Sequence, residues 1–214
     1  MYVSDLNCAW IPHHNFQKEG RIPDQSIIDE IRRRGIREVY IDTARGLDAG
    51  DDALTDVEHL INQICHDARA LSGDRNHKIL VEVTDHRLLR GDESQLRSAF
   101  SNLIFNAVKY TPANGSIEVS WSTNRDGAHL RVKDTGIGID PVHIPRLTER
   151  FYRADPSRHK DTGGTGLGLA IVKHVLINHD GNLEIRSKVG EGSEFICHFP
   201  RERLVERVPE TNDS

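Results

Sequence analysis

Ser101-Asn102-Leu103-Ile104-Phe105-Asn106-Ala107-Val108-Lys109-Tyr110-Thr111 is followed along the chain by Asp134-Thr135-Gly136-Ile137-Gly138-Ile139, then Arg150-Phe151-Tyr152-Arg153, then Gly163-Gly164-Thr165-Gly166-Leu167-Gly168-Leu169. In a helix predicted over 93–110, Leu96, Phe100, Leu103, Ala107 and Val108 form an apolar stripe, while Gln95, Ser98, Asn102, Asn106 and Lys109 form a polar one. The first stripe packs and the second is expected to line a wet cleft, because a buried polar stripe is costly without partners. Asp134 ends a predicted strand where Gly136 and Gly138 let the backbone turn. The last block runs into a helix marked by Ile171, Val172, Val175 and Leu176, whose N-terminal N–H groups and dipole favour an anion such as phosphate. Residues 153–165 hold Arg153, Arg158 and Lys160 and almost nothing apolar, which reads as a mobile lid rooted by Phe151 and Tyr152. Any one block alone is ordinary; an Asp-Thr-Gly turn is common and an Asn on a helix is usually solvated.

The four blocks in this order resemble the N, G1, F and G2 boxes of the sensor histidine kinases, over roughly residues 54–204. The likeness is strongest to phosphate-regulon sensor kinases. It implies an α+β fold, the two-layer sandwich that those kinases share with gyrase, a heat-shock chaperone family and mismatch-repair ATPases. It also implies ATP and Mg2+ as ligands. By resemblance Asn106 is the magnesium ligand, a hard amide oxygen of the kind the ion takes when water and phosphates supply the rest. Asn102 stands beside it, Lys109 offers a point charge, and Tyr110 covers the base or sugar. Asp134, acceptor-only when ionised, takes the exocyclic amine of adenine. The site implied by resemblance is completed by Gly136, Ile137, Gly138 and Ile139, by Phe151, Tyr152 and Arg153, and by Gly163, Gly164, Thr165, Gly166, Leu167, Gly168 and Leu169. Gly190-Glu191-Gly192-Ser193 resembles the last glycine box and reads as structural.

Rival phosphate motifs fail on inspection. No glycine is followed by lysine, which removes the Walker loop, and no G-x-G-x-x-G occurs, which removes the dinucleotide fingerprint. Lys+Arg 28 against Asp+Glu 33 gives a net charge of -5 with no dense basic run, so nucleic acid is not expected as a partner. Nothing approaches the ~20 apolar residues of a membrane span, and the start lacks the pattern of a secretion signal, so the expected location is cytoplasmic, although kinases of this type are usually anchored in the inner membrane. Cys8, Cys65 and Cys197 are widely spaced and read as packed, reduced thiols.

Residues 1–52 read as a small N-terminal module: a strand at Tyr2–Leu6, a helix opened by Pro23-Asp24 and stopped by Gly35, and a strand at 38–42. Met1-Tyr2-Val3, Cys8-Ala9-Trp10-Ile11 and Val39-Tyr40-Ile41-Asp42-Thr43 resemble the small domain preceding HD-GYP cyclic-di-GMP phosphodiesterases. The Gly-Tyr-Pro triplet of those enzymes is absent, and His66-Asp67 and His179-Asp180 read as helix surface and helix end. Beyond the acidic seam 48–52, the expected elements are a helix from Val57 to Leu71 closed by Gly73, strands at 79–83, 87–90, 116–122 and 128–134, a short helix at 141–150, a helix at 166–178 and a hairpin over 182–199. The ATPase domain is placed at 53–204 and a flexible tail at 205–214.

A sensor kinase also needs a phosphoacceptor histidine on a dimerisation hairpin. No His-Glu or His-Asp followed by proline precedes the boxes, so no catalytic nucleophile is assigned. The expected activity is transfer of the γ-phosphate to a histidine-bearing dimerisation domain in trans, with a response regulator beyond it; the chain without that hairpin is expected to be monomeric. The alternatives are a non-catalytic ATP-binding regulatory module and a cyclic-di-GMP phosphodiesterase fragment.

Overall fold

In the computed structural model residues 2–6, 20–21, 39–41, 53–154 and 165–207 are described. The chain divides into two units, Met1–Ala49 and Gly50–Ser214. The first contains three antiparallel strands, β1 (Tyr2–Leu6), β2 (Gly20–Arg21) and β3 (Val39–Ile41), in the order β2-β1-β3. The helix expected after Pro23 lies outside the described residues.

In the second unit the sheet follows from period-two patterning. Strands β5 (Lys78–Val83), β7 (Ser116–Thr123), β8 (Gly127–Asp134), β9 (Asn182–Lys188) and β10 (Gly192–Pro200) lie in the order β5-β7-β8-β10-β9. The β5–β7 pair is parallel and the others antiparallel. Ile117, Val119 and Trp121 on β7, and Ala128, Leu130 and Val132 on β8, share one core with the helices. Asp134 continues that inward-facing series, and so a carboxylate comes to be buried.

Three helices cover this face. Helix α1 (Val57–Ser72) starts at Asp56, whose side chain accepts from the His59 N–H at 3.0 Å, and ends at Gly73, whose φ of +49° suits glycine. Its buried face is Val57, Leu60, Ile61, Ile64, Cys65 and Ala68. Helix α2 (Glu93–Tyr110) is capped by Asp92 in the same way, onto the Gln95 N–H. Helix α3 (Gly168–Asn178) is shorter. Phe199 meets Phe100 edge-on at 6.2 Å and lies 5.9 Å from the Trp121 ring, joining layers at the centre of the core. Cys65 and Cys197 are buried free thiols; burial pushes the Cys65 thiol up to about 11 and Cys197 higher still. Cys8 lies outside the described residues.

A second, three-stranded sheet of β4 (Leu54–Thr55), β6 (Leu88–Arg90) and β11 (Leu204–Val205) brings the two ends of the unit together. The strands at 78–83 and 88–90 belong to different sheets. Two expectations change here. Val205, expected in a flexible tail, is paired with Leu88. The short helix expected at 141–150 is only a single 3-10 turn, Ile144–Arg146. Asp140 turns the chain by accepting from the Val142 N–H, the bonds that follow run from residue i to i−3, and Pro145 has no N–H to give.

Candidate functional site

Asp134 sits at the C-terminal end of β8, opposite Ile117 on one side and Ser193 on the other. It is 5% exposed, and its Oδ1 accepts the Gly136 N–H at 2.7 Å and the Ser193 N–H at 3.2 Å. Oδ2 has no hydrogen-bond partner among the described residues. Burial raises the carboxyl above its ordinary value of 3.8, and the two backbone amides oppose that shift. One oxygen of this carboxylate is thus fixed while the other is free to accept from a ligand.

The turn after Asp134 is held from three sides. The Ile137 N–H donates to the Tyr110 carbonyl at the end of α2, the Ile137 carbonyl accepts from Gly190, and the Ile139 N–H donates to the Ser187 hydroxyl at 2.8 Å. A Cβ on Gly136 would stand 2.7 Å from the Tyr110 carbonyl oxygen. Gly192, at φ +110°, lies so close that a Cβ there would come within 2.0 Å of the Asp134 carbonyl oxygen. Tyr110, Asp134, Gly136, Ile137, Gly138 and Ile139 therefore form one structural knot, and Tyr110 is 43% exposed beside it.

The polar stripe of α2 is half-buried. Asn102 donates from Nδ2 to the Ser98 carbonyl at 2.8 Å and presents Oδ1 to the start of α3, where a Cβ on Gly168 would come within 2.6 Å of it. Asn106, one turn further on, makes no side-chain hydrogen bond among the described residues. Lys109 Nζ lies 5.1 Å from the Tyr110 ring centroid. Helix α3 begins at Gly168, with Leu167 at its N-cap, no capping side chain and no acidic residue in its first turn. Among the described residues no side chain caps its leading N–H groups, an arrangement that suits an anion. The helix starts two residues later than expected because Gly166 has φ +73°, outside the helical region.

The third group of residues is joined at its base. The Phe151 N–H donates to the Gly166 carbonyl at 3.0 Å, and Phe151 itself has φ +65°. Tyr152 is anchored: its hydroxyl is 2.7 Å from His143 Nδ1, and the Arg146 guanidinium lies 4.3 Å from its ring centroid. Arg153 is half-buried; Thr165 and Leu167 precede α3, and Leu169 lies in its first turn. Gly163, Gly164, Arg158 and Lys160 lie outside the described residues. Ser193, Ser187 and His143 are not among the residues assigned from sequence: Ser193 contributes its backbone N–H, Ser187 meets a turn 48 residues away, and His143 carries no sequence signal that pairs it with Tyr152.

A family model described as histidine kinase-, DNA gyrase B-, and HSP90-like ATPase matches residues 91–203. The chain belongs to this ATPase family. The phosphate regulon sensor protein PhoR of Pseudomonas aeruginosa is 57% identical over 157 residues, covering 73% of this chain and 35% of that protein. The sensor-like histidine kinase SenX3 of Mycobacterium tuberculosis is 40% identical over 147 residues, covering 68% of this chain and 35% of its own length. The chain thus spans about a third of the curated relatives it matches. Among solved structures, the mycobacterial sensor histidine kinase MprB superposes with a TM-score of 0.63 at 29% identity, over 72% of this chain and all of that one. Full-length ShkA in complex with AMPPNP gives the same score at 28% identity, over 73% of this chain and 32% of its own. These likenesses establish the ATPase fold for the second unit. A separate model, of a domain of unknown function (DUF3391), matches residues 1–75.

Proposed function

We propose that the second unit binds Mg-ATP and serves as the catalytic domain of a two-component sensor histidine kinase of the phosphate-regulon type. The observation that carries this reading is the buried Asp134 carboxylate, with Oδ1 satisfied by two amides and Oδ2 left for a donor. An adenine amine supplies that donor, whereas the guanine carbonyl at the same position does not. The amide of Asn106, without a hydrogen-bond partner among the described residues, supports a magnesium ion bound mainly by phosphates and water, and the start of α3, uncapped among those residues, supports the phosphates themselves. Among the described residues no group of three or more His, Cys, Asp and Glu stands together, so the cation would lean on the nucleotide.

Phosphoryl transfer is chiefly a matter of positioning and charge neutralisation, so this unit supplies one half of the reaction. The other half is a histidine on a dimerisation domain supplied in trans, from which a response regulator would receive the phosphoryl group. Incubating the chain with γ-labelled ATP, magnesium and a separately purified hairpin of a PhoR-type kinase tests this reading. Acid-labile, base-stable label on the hairpin is expected. Nucleotide binding without any label would leave a non-catalytic nucleotide module.

A further inference from the structure

His179 follows α3, and from sequence alone it reads as half of a His-Asp pair at a helix end. In the structure it is 3% exposed and bonded at both ring nitrogens. Nδ1 lies 2.7 Å from the Val175 carbonyl oxygen, which can only accept, so Nδ1 carries the proton. Nε2 then holds the lone pair that takes the backbone N–H of Asp92, the N-cap residue of α2, at 3.1 Å. Both bonds require the uncharged ring in this one tautomer.

The surroundings are shaped to the ring. A Cβ on Gly91 would come within 2.5 Å of His179 Cδ2 and 2.6 Å of Nε2, and the ring meets Phe199 edge-on at 6.4 Å. Beside it, Asn178 Nδ2 donates to Gln95 Oε1 at 3.0 Å. The C-terminal end of α3 is thereby fastened to the N-terminal turn of α2, while the N-terminal end of α3 lies against Asn102 further along the same helix. The two helices run antiparallel. Helix α3 spans about 16 Å, so its fastening at His179 sets the axial position of its leading N–H groups relative to Asn102 and Asn106.

We infer that His179 is a positioning residue for the phosphate-binding half of the site, acting through the axial placement of α3. The inference rests on the nucleotide reading above. The adenine half is held by different contacts, from Asp134 to Gly136 and Ser193 and from Ile137 to Tyr110, and none passes through α3. Loss of the clamp therefore separates phosphate affinity from base affinity, which a purely stabilising role does not do.

The test compares the whole chain with its His179→Leu, His179→Gln and Gly91→Ala forms. Calorimetry measures adenosine and a non-hydrolysable ATP analogue with magnesium, after circular dichroism has confirmed folding. His179→Leu and Gly91→Ala are expected to weaken the analogue about tenfold while adenosine affinity stays within about twofold. His179→Gln, whose amide oxygen can accept the Asp92 N–H, is expected to recover most of the loss. If His179→Leu does not fold, Gly91→Ala and His179→Gln carry the comparison. Unchanged analogue affinity in the folded Leu or Gly91→Ala form, or equal losses for analogue and adenosine, overturns the inference. A wild-type chain that binds neither ligand overturns the nucleotide reading first and takes this inference with it.

Discussion

On the proposed nucleotide reading, Asp134 would trade stability for recognition. Its carboxyl titrates above the ordinary value because burial penalises the charge, so the folded state takes up a proton more readily than the unfolded chain. This group therefore favours folding at low pH and loses that contribution as pH rises through its folded value. Recognition runs the other way, since the ionised form is the better acceptor. Asp134→Asn keeps an oxygen for the Gly136 and Ser193 amides but can place an NH2 group where an acceptor is needed. The variant is expected to melt no lower than wild type at pH ~7 while adenine-nucleotide affinity falls by about 2 kcal/mol, a loss read by calorimetry. For the unsubstituted chain, affinity should begin to fall with acidification above the normal aspartate range. Asp85 provides the opposite sign. The hydrogen bond from the Arg87 side chain, aided by Thr123, pulls it from 3.8 to about 2. Its stabilisation is complete above 3.8 and is lost as pH falls towards 2. Asp85→Asn should flatten that limb of an acid-unfolding curve by about 1 kcal/mol, allowing for solvent screening.

Elements set by local chemistry are those the chain reveals most directly. Helix α2 is observed over 93–110 as expected, because its stripes, its Asp92 cap and its end at Thr111 all lie within one stretch. The turn after Asp134 is equally plain, since the glycines sit where the backbone must bend. What the residues hid depends on distance or on a missing donor. Pro145 reduced a helical pattern to one 3-10 turn, β11 is only two residues long, and the roles of Ser193 and His179 require partners 59 and 87 positions away. Two glycines separate backbone conformation from close approach. Gly190 has φ +80° with open space around its Cβ position, whereas Gly138 has φ +68° and would drive a Cβ to 2.0 Å from the Lys188 carbonyl oxygen. Gly190→Ala is expected to lose about 1 kcal/mol in denaturant unfolding. Gly138→Ala should lose more than about 2 kcal/mol and weaken nucleotide binding, because the same turn carries Ile137 and Ile139. Equal losses at the two positions would show that the Lys188 contact is easily relieved.

At the scale of the whole molecule, the question is where the ATPase domain starts. The model for a domain of unknown function extends over residues 1–75 and so includes α1, yet the helix supplies Val57, Leu60, Ile61, Ile64, Cys65 and Ala68 to the core shared with the sheet. Its N-cap residue Asp56 is also paired with Arg207, beyond the last strand, while Thr55 Oγ1 donates to the Gly91 carbonyl and β4 pairs with β6. By packing, α1 belongs to the second unit. Two truncations distinguish these assignments. A chain starting at residue 53 keeps β4, the Asp56 cap and the full core, and is expected to retain a cooperative melt and nucleotide affinity within about twofold. A chain starting at residue 76 opens the core where six apolar side chains had packed; burial of ~2 kcal/mol for each of the four large ones, Val57, Leu60, Ile61 and Ile64, is comparable with the whole stability of a typical domain, so this form should not fold. If the chain starting at residue 76 folds and binds nucleotide, α1 is dispensable to the ATPase; if the chain starting at residue 53 fails to fold, the ATPase needs residues that precede it.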